Sequence, residues 1–287
     1  MLARLRDGRA VEVYDGEGKS IEWLYNSSLG KVVLKILIAP AISHIAGKFL
    51  DSGISKFLVS GFVKNNHLDL SDYPNRKYHS FNDFFTRKIT PGKRTIDTNP
   101  NRLIAPSDGK LSIFPLEKDS TFKIKGCDYT LKTLLRNESL AKQYCGGWGL
   151  LFRLSVDDYH RYSYPVSGTK GENIRLKGVY HTVNPRAAAA RSIYQENTRE
   201  YTVIHSSFGD VLMMEVGAML VGRITNLHGP QEVKRSEEKG YFEFGGSSIL
   251  LLIEPGYLNP DADIFKNSEE NIETIVKMGE AIGSRKE

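Results

Sequence analysis

Between Val32 and Phe62 the chain is more apolar than anywhere else. Its longest charge-free run, Ile36 to Gly47, contains Pro40 and is too short to span a bilayer. Lys35, Lys48, Asp51, Lys56 and Lys64 punctuate the stretch, while Ile54, Phe57, Leu58, Gly61 and Phe62 recur with roughly helical spacing. Two structures fit this pattern: a pair of buried helices, or a helical platform lying in a membrane interface with its lysines toward the headgroups. Ser80 or Asn82 then caps a short helix running to Arg87. Beyond about residue 95 the rhythm changes to short apolar or alternating runs broken by Gly, Pro and Asn. These runs are Lys110–Pro115, Thr121–Lys125, Gly149–Leu154, Tyr201–Ile204, Val211–Val216, Val221–Ile224, Tyr241–Phe244 and Ile249–Glu254. Tyr129–Leu140 and Ala187–Tyr194 read as helical insertions, and Ser268–Lys286 as a weak helix or frayed tail. The expected fold is α+β, with a helical N-terminal region over residues 1–95 and a mostly antiparallel β-sandwich or barrel core over 96–287.

Composition narrows this little. At 287 residues, 40% hydrophobic and 25% charged, the chain suits one large globular domain or two small ones. A net charge of +5 and a pI near 9.0 favour an anionic partner, nucleic acid or an acidic membrane surface, without choosing between them. Cys127 and Cys145 are the only cysteines and lack metal-ligand spacing, so cytosolic thiols and no metal site are expected. Met1-Leu2-Ala3-Arg4 lacks the apolar core of a secretory signal, which makes a cytoplasmic location the simplest reading.

Candidate chemistry centres on Gly245-Gly246-Ser247-Ser248, set between Gly240–Phe244 and the apolar run from Ile249. Glycine permits strained backbone and close approach, so the Ser247 hydroxyl could attack the carbonyl of Gly246. The plainer alternative is a Gly-Gly hairpin turn. Three further stretches carry reactive side chains: Ala105-Pro106-Ser107-Asp108-Gly109, Asp157-Asp158-Tyr159-His160-Arg161, and Tyr180-His181-Thr182-Val183-Asn184-Pro185. Taken singly, Asp-Gly reads as a turn and a lone histidine as a satisfied one.

Together these stretches resemble the phosphatidylserine decarboxylase family, whose members are self-cleaving proenzymes. Phe81–Arg87 with Pro91-Gly92 is similar to its N-terminal signature, and Ala105–Gly109 to the segment holding its catalytic aspartate. Asp158–Arg161 is similar to its histidine motif. Glu215–Ala218 with Val221-Gly222 resembles the strands before the cleavage site, and Lys239–Ile249 the site itself. The departures are Gly-Gly-Ser-Ser in place of the commoner Leu-Gly-Ser-Thr, and Ser163 where many members carry a second histidine. A serine hydroxyl cannot act as an imidazole base near neutral pH, so that role falls to His160 or His181.

The resemblance implies cleavage between Gly246 and Ser247, with Asp108 orienting the histidine that activates Ser247. Ser247 would become a covalent pyruvoyl group, the cofactor, and the two pieces would remain together as β and α chains. Phosphatidylserine would bind through a Schiff base and lose carbon dioxide to give phosphatidylethanolamine, with His160 returning the proton. Such an enzyme would work peripherally on the cytoplasmic face of the cell membrane, docked on an anionic surface, with no nucleic acid partner; a homodimer is compatible with it. Two alternatives stay open: a pyruvoyl-dependent decarboxylase of a soluble amino acid, and a lipid-binding β-barrel protein that never cleaves.

Overall fold

The computed structural model describes residues 2–13, 18–117, 121–124, 127–219, 223–245 and 247–286; Lys125, Val221, Gly222 and Gly246 lie outside them. The chain opens with a short strand, Leu2–Arg4 (β1), and continues into four helices: Gly18–Asn26 (α1), Ser28–Leu37 (α2), Pro40–Asp51 (α3) and Leu58–Asn65 (α4). Ser27 caps α2 by accepting from the Gly30 amide at 2.9 Å. Proline is tolerated in the first turn of a helix but not in its interior. Accordingly α2 stops before Pro40, and α3 sets off at 59° to it. The short helix Phe81–Phe85 (α5) is capped by Ser80, the first of the expected pair.

The rest of the chain is dominated by an eleven-stranded, mostly antiparallel sheet. Its central members are Gly109–Pro115 (β2), Trp148–Leu154 (β3), Arg199–Ser206 (β4), Gly209–Val216 (β5), Ser247–Ile253 (β6) and Glu273–Val276 (β7). They lie in the order β4-β5-β6-β3-β2-β7-β1, antiparallel except where β1 runs parallel to β7. Every residue of β6 is buried, because the sheet is covered on both faces. Ile249, Leu251 and Ile253 enter one core with Phe152, Leu111 and Val211, whereas Leu250 and Leu252 enter another with Leu151, Leu212 and Met214. A smaller sheet of Arg161–Ser163, Ile224–Asn226 and Glu238–Phe242 closes over the first core through Tyr162, Ile224 and Phe242. The main sheet stays open, so the barrel form of the expectation gives way to a layered one.

Three local expectations change. Ser268–Lys286 is neither helix nor frayed tail. The helix Ala262–Glu269 ends within it, after which Glu273–Val276 and Ala281–Arg285 join two sheets, with Val276 and Ile282 fully buried. Scattered apolar residues give no local period there, and pairing with distant strands decides the outcome. Tyr129 belongs to a strand, Cys127–Thr130, that precedes the helices Leu131–Leu135 and Glu138–Gln143. The N-terminal region also contributes β1 to the main sheet, beside its helices.

Candidate active site

Ser247 is the first residue of β6, where it pairs with Leu154 of β3; its neighbour Ser248 pairs with Arg153 and with Val216 of β5. The Ser247 side chain is fully buried, and its Oγ lies 3.5 Å from the Gly245 carbonyl oxygen. The hydroxyl is therefore turned back over the glycine turn. Gly245 has φ +141°, a backbone that side-chain-bearing residues rarely adopt. The carbonyl of Gly246 belongs to the part outside the described residues.

His160 lies in the loop that continues from β3 past Leu154. Its carbonyl accepts from the Phe242 amide at 2.9 Å, which holds the loop against the strand leading to the glycine turn. Its ring packs on Phe85 with centroids 4.3 Å apart, and Phe85 in turn packs on Phe244 at 5.1 Å. His160 Nδ1 is 2.9 Å from the Asp158 carbonyl oxygen. A carbonyl only accepts, so Nδ1 carries the hydrogen and Nε2 keeps its lone pair. That Nε2 is buried and has no hydrogen-bond partner among the described residues. Burial pushes the imidazole pKa down to about 4, against a weaker upward pull from the Asp158 carbonyl and carboxylate. The loop is clamped by Asp158, whose carboxylate accepts from Lys110 Nζ at 2.6 Å and from the Ser155 amide at 2.7 Å.

This depressed pKa has a measurable consequence. The unfolded chain takes a proton near pH 6.5, the folded one only near 4, so stability falls as the pH drops through that window. A shift of this size corresponds to about 3 kcal/mol. In an uncleaved Ser247→Ala background, replacing His160 with Asn should flatten the acid limb between pH 6.5 and 4. Urea titrations across that range measure it, and identical limbs in the two proteins would refute a neutral buried His160.

Asp108 sits at the turn into β2, and its carboxylate is fully engaged. It accepts from Arg94 Nε and Nη2 at 3.2 and 2.8 Å, from Lys277 Nζ at 3.2 Å and from the Met278 amide at 2.9 Å. Burial alone would raise its pKa, but Lys277 and Arg94 outweigh that and hold it below the usual range. No hydrogen bond joins it to a histidine among the described residues. Asp108 also borders a polar cleft of about 370 Å³ that takes in Arg87, Arg94, Asp158 and Lys277. Ser163, at the second-histidine position, is buried beside the same segment, its amide donating to the Pro106 carbonyl at 2.8 Å.

His181 lies elsewhere. Its ring meets the Tyr25 hydroxyl of α1 at Nδ1 (3.0 Å) and Glu196 Oε2 at Nε2 (3.3 Å), and burial lowers its pKa. Its backbone is tied through Asn197 to the Gly217 carbonyl, just beyond β5. Asp108, His160 and Ser247 thus gather at one end of β2, β3 and β6, while His181 sits on the β5 side against α1. Glu215 of β5 and Lys239, both fully buried, pair at 2.8 Å and fasten the strand entering the glycine turn to the main sheet. Removing one partner of such a pair typically costs about 3–5 kcal/mol.

Phe85 lies within the stretch Phe81–Arg87 and Lys110 directly after Asp108-Gly109, so both are in view in the sequence, whereas Arg94 and Lys277 carry no local signal.

Comparison with known proteins identifies the family. The profile of a family described as phosphatidylserine decarboxylase matches residues 81–284. The chain is 41% identical over 265 residues to phosphatidylserine decarboxylase proenzyme 2 of Clostridium acetobutylicum, covering 92% of this chain and 91% of the relative. It is 39% identical over 283 residues to the phosphatidylserine decarboxylase proenzyme of Clostridium botulinum, strain Langeland, covering 96% of both. Against the proenzyme of Ruminiclostridium cellulolyticum it is 38% identical over 287 residues, again covering 96% of both.

Proposed function

The chain belongs to the phosphatidylserine decarboxylase family, and on that premise we propose that it is a self-cleaving proenzyme whose mature form converts phosphatidylserine to phosphatidylethanolamine and carbon dioxide. One observation carries the reading: a buried Ser247 hydroxyl folded over the glycine turn, at the sheet end where His160 offers an unpartnered Nε2. Ser247 Oγ attacks the Gly246 carbonyl carbon and gives its proton to His160. The acyl group of Gly246 passes from the Ser247 nitrogen to its oxygen, leaving an ester. Loss of the Ser247 α-proton expels the Gly246 carboxylate and leaves dehydroalanine, which water converts to a pyruvoyl group with release of ammonia. Residues 1–246 become one chain and those from 247 onward the other.

The buried start of β6 fits such a group, because Ser247 is paired with Leu154 of β3, its neighbour Ser248 is paired on both sides, and the side chain is shielded from water. The pyruvoyl ketone supplies the electron sink that decarboxylation needs. His160 is the residue assigned to return the proton to the substrate α-carbon. For maturation we assign the base to His160 over His181, because His160 lies in the loop that continues from Leu154, the strand partner of Ser247. His181 instead faces Tyr25 at Nδ1 and has the Glu196 carboxylate within ion-pair range of an Nε2 that makes no hydrogen bond. Asp108 acts by neutralising Arg94 and Lys277 and fixing the turn into β2.

Docking is proposed through α2, α3 and the 3₁₀ turn Gly53–Phe57, peripherally and on the cytoplasmic leaflet. Val32, Ile36, Ile45, Ile54 and Phe57 are each more than half exposed, at 57–71%. Of these elements, α3 reaches the site through Leu50, which clusters with Phe62 and Phe81, and these pack on Phe244 at 5.9 and 4.9 Å. No single helix among the described residues is long and apolar enough to cross a membrane. Burying an apolar side chain of this size contributes about 1.5–3 kcal/mol. Ile45→Ser with Phe49→Ser should therefore lower partitioning onto phosphatidylserine-containing vesicles about 100-fold or more, measured by sedimentation. Unchanged partitioning would move the docking surface elsewhere. Carbon dioxide release from phosphatidylserine in mixed micelles, compared with free serine and tryptophan, tests the substrate; release from a free amino acid alone would overturn the lipid assignment.

A further inference from the structure

A second cleft, of about 440 Å³, opens between α3 and the core, away from Asp108. Ser43 and Lys48 of α3 form one wall, and Arg175, Tyr180, Arg223 and Glu243 the other. Tyr180 is fastened to the end of α2 by its amide, which donates to the Ile38 carbonyl at 3.1 Å. Three cations face one carboxylate here. Arg223 spends its charge on Glu243, to which it is hydrogen-bonded at 2.7 Å through Nε. Lys48 and Arg175 have no anionic partner among the described residues. Ser43 is 5% exposed, and its Oγ has no hydrogen-bond partner. A buried hydroxyl without a partner is costly unless something else supplies one.

We propose that this cleft binds the phosphodiester of a phospholipid headgroup, with Lys48 and Arg175 as its cations and Ser43 Oγ as a hydrogen-bond donor. The order of parts supports it. On one side, α3 carries exposed Ile45 and Phe49, the face assigned to lipid. On the other, Glu243 stands four residues before Ser247, at most about 14 Å along a fully extended chain. In phosphatidylserine the phosphodiester likewise stands between the acyl-glycerol and the reacting serine. A singly charged diester matches two unspent cations, and arginine presents a planar fork suited to phosphate oxygens. The proposal rests on the phosphatidylserine reading for its ligand, and its test uses soluble glycerophosphoserine so that attraction to a charged membrane surface does not enter.

The experiment is calorimetric titration of the full-length Ser247→Ala protein with glycerophosphoserine, inorganic phosphate and free serine. Glycerophosphoserine should bind, and more tightly than either fragment. Lys48→Gln combined with Arg175→Gln should weaken it about 100-fold, since hydrogen bonds to charged groups are stronger than neutral ones and two are lost together. Lys266→Gln, an equal loss of charge on a distant helix, should leave the affinity unchanged. Ser43→Ala should weaken binding about tenfold without lowering the melting temperature. Equal binding by the double variant and its parent, no binding of glycerophosphoserine by the parent, or equal affinity for inorganic phosphate would each overturn the proposal. The decarboxylase reading fails separately: a wild-type protein that binds glycerophosphoserine through these residues yet releases no carbon dioxide keeps the anion site and loses the activity.

Discussion

Ser247→Ala should leave one uncut chain of 32.2 kDa and no decarboxylase activity at all. The substitution removes one oxygen, the atom assigned to attack the Gly246 carbonyl and then to leave with the Gly246 carboxylate, so neither the ester nor the dehydroalanine that precedes the electron sink can form. No neighbour can replace it. Ser248 is one residue too far along a paired strand, and its alternation sends the side chain to the opposite face of the sheet. The Ala variant should fold normally, because Ser247 Oγ contributes only a 3.5 Å contact to Gly245. Intact mass spectrometry reads the result directly: wild type as two pieces divided between 246 and 247, the larger ending in a carboxylate and the smaller beginning with a blocked terminus. A wild-type chain that stays whole, or an Ala variant that still divides there, would end the maturation scheme. Ser248→Ala should mature at close to the wild-type rate.

His160→Ala should slow cleavage by a factor of about 100 to 10,000, the usual worth of a positioned general base. His181→Ala should leave cleavage nearly intact while lowering the melting temperature, since it uncouples Tyr25 of α1 from Glu196. The reasoning turns on which histidine follows the strand paired with Ser247, and on the state of its ring. His160 has its hydrogen fixed on Nδ1 by the Asp158 carbonyl, which leaves Nε2 open. Because burial holds it neutral down to about pH 4, cleavage should not fall as pH drops from 8 to 6. A base with an ordinary imidazole pKa would lose activity across that interval. Time courses of band conversion on denaturing gels, run for both variants and across pH, separate the two histidines. Normal cleavage in His160→Ala and failure in His181→Ala would return the base to His181.

Much of this was legible in the chain because it is local. Ser80 marks a helix start through a side chain acting within a turn of itself, and such a mark survives without any tertiary context. The strand runs of β2, β3, β5 and β6 were visible for the same reason: a sheet buried on both faces demands unbroken apolar runs, and Ser247–Ile253 announces one. Gly245, shortly before Ser247, likewise declares a bend, at a φ of +141° that side-chain-bearing residues rarely adopt.

What the tertiary structure decided depends on residues far apart in sequence. Whether the Val32–Phe62 helices were core or surface could not follow from their periodicity, since both carry an apolar face; their exposure settles that these faces are left uncovered by the chain. The C-terminal segment became strand because β2 and β1 stood ready to pair with it, an energy absent from its own composition. Asp108 looked like half of a relay, yet its acceptors are taken by Arg94, fourteen residues away, and by Lys277 and Met278, about 170 residues away. The surroundings of His160 and His181 were equally beyond the sequence, because a histidine's tautomer and basicity are set by whichever distant groups the fold brings to its two nitrogens. Sequence determines which groups can react; the long-range contacts that bury, pair or free them determine in what state they stand.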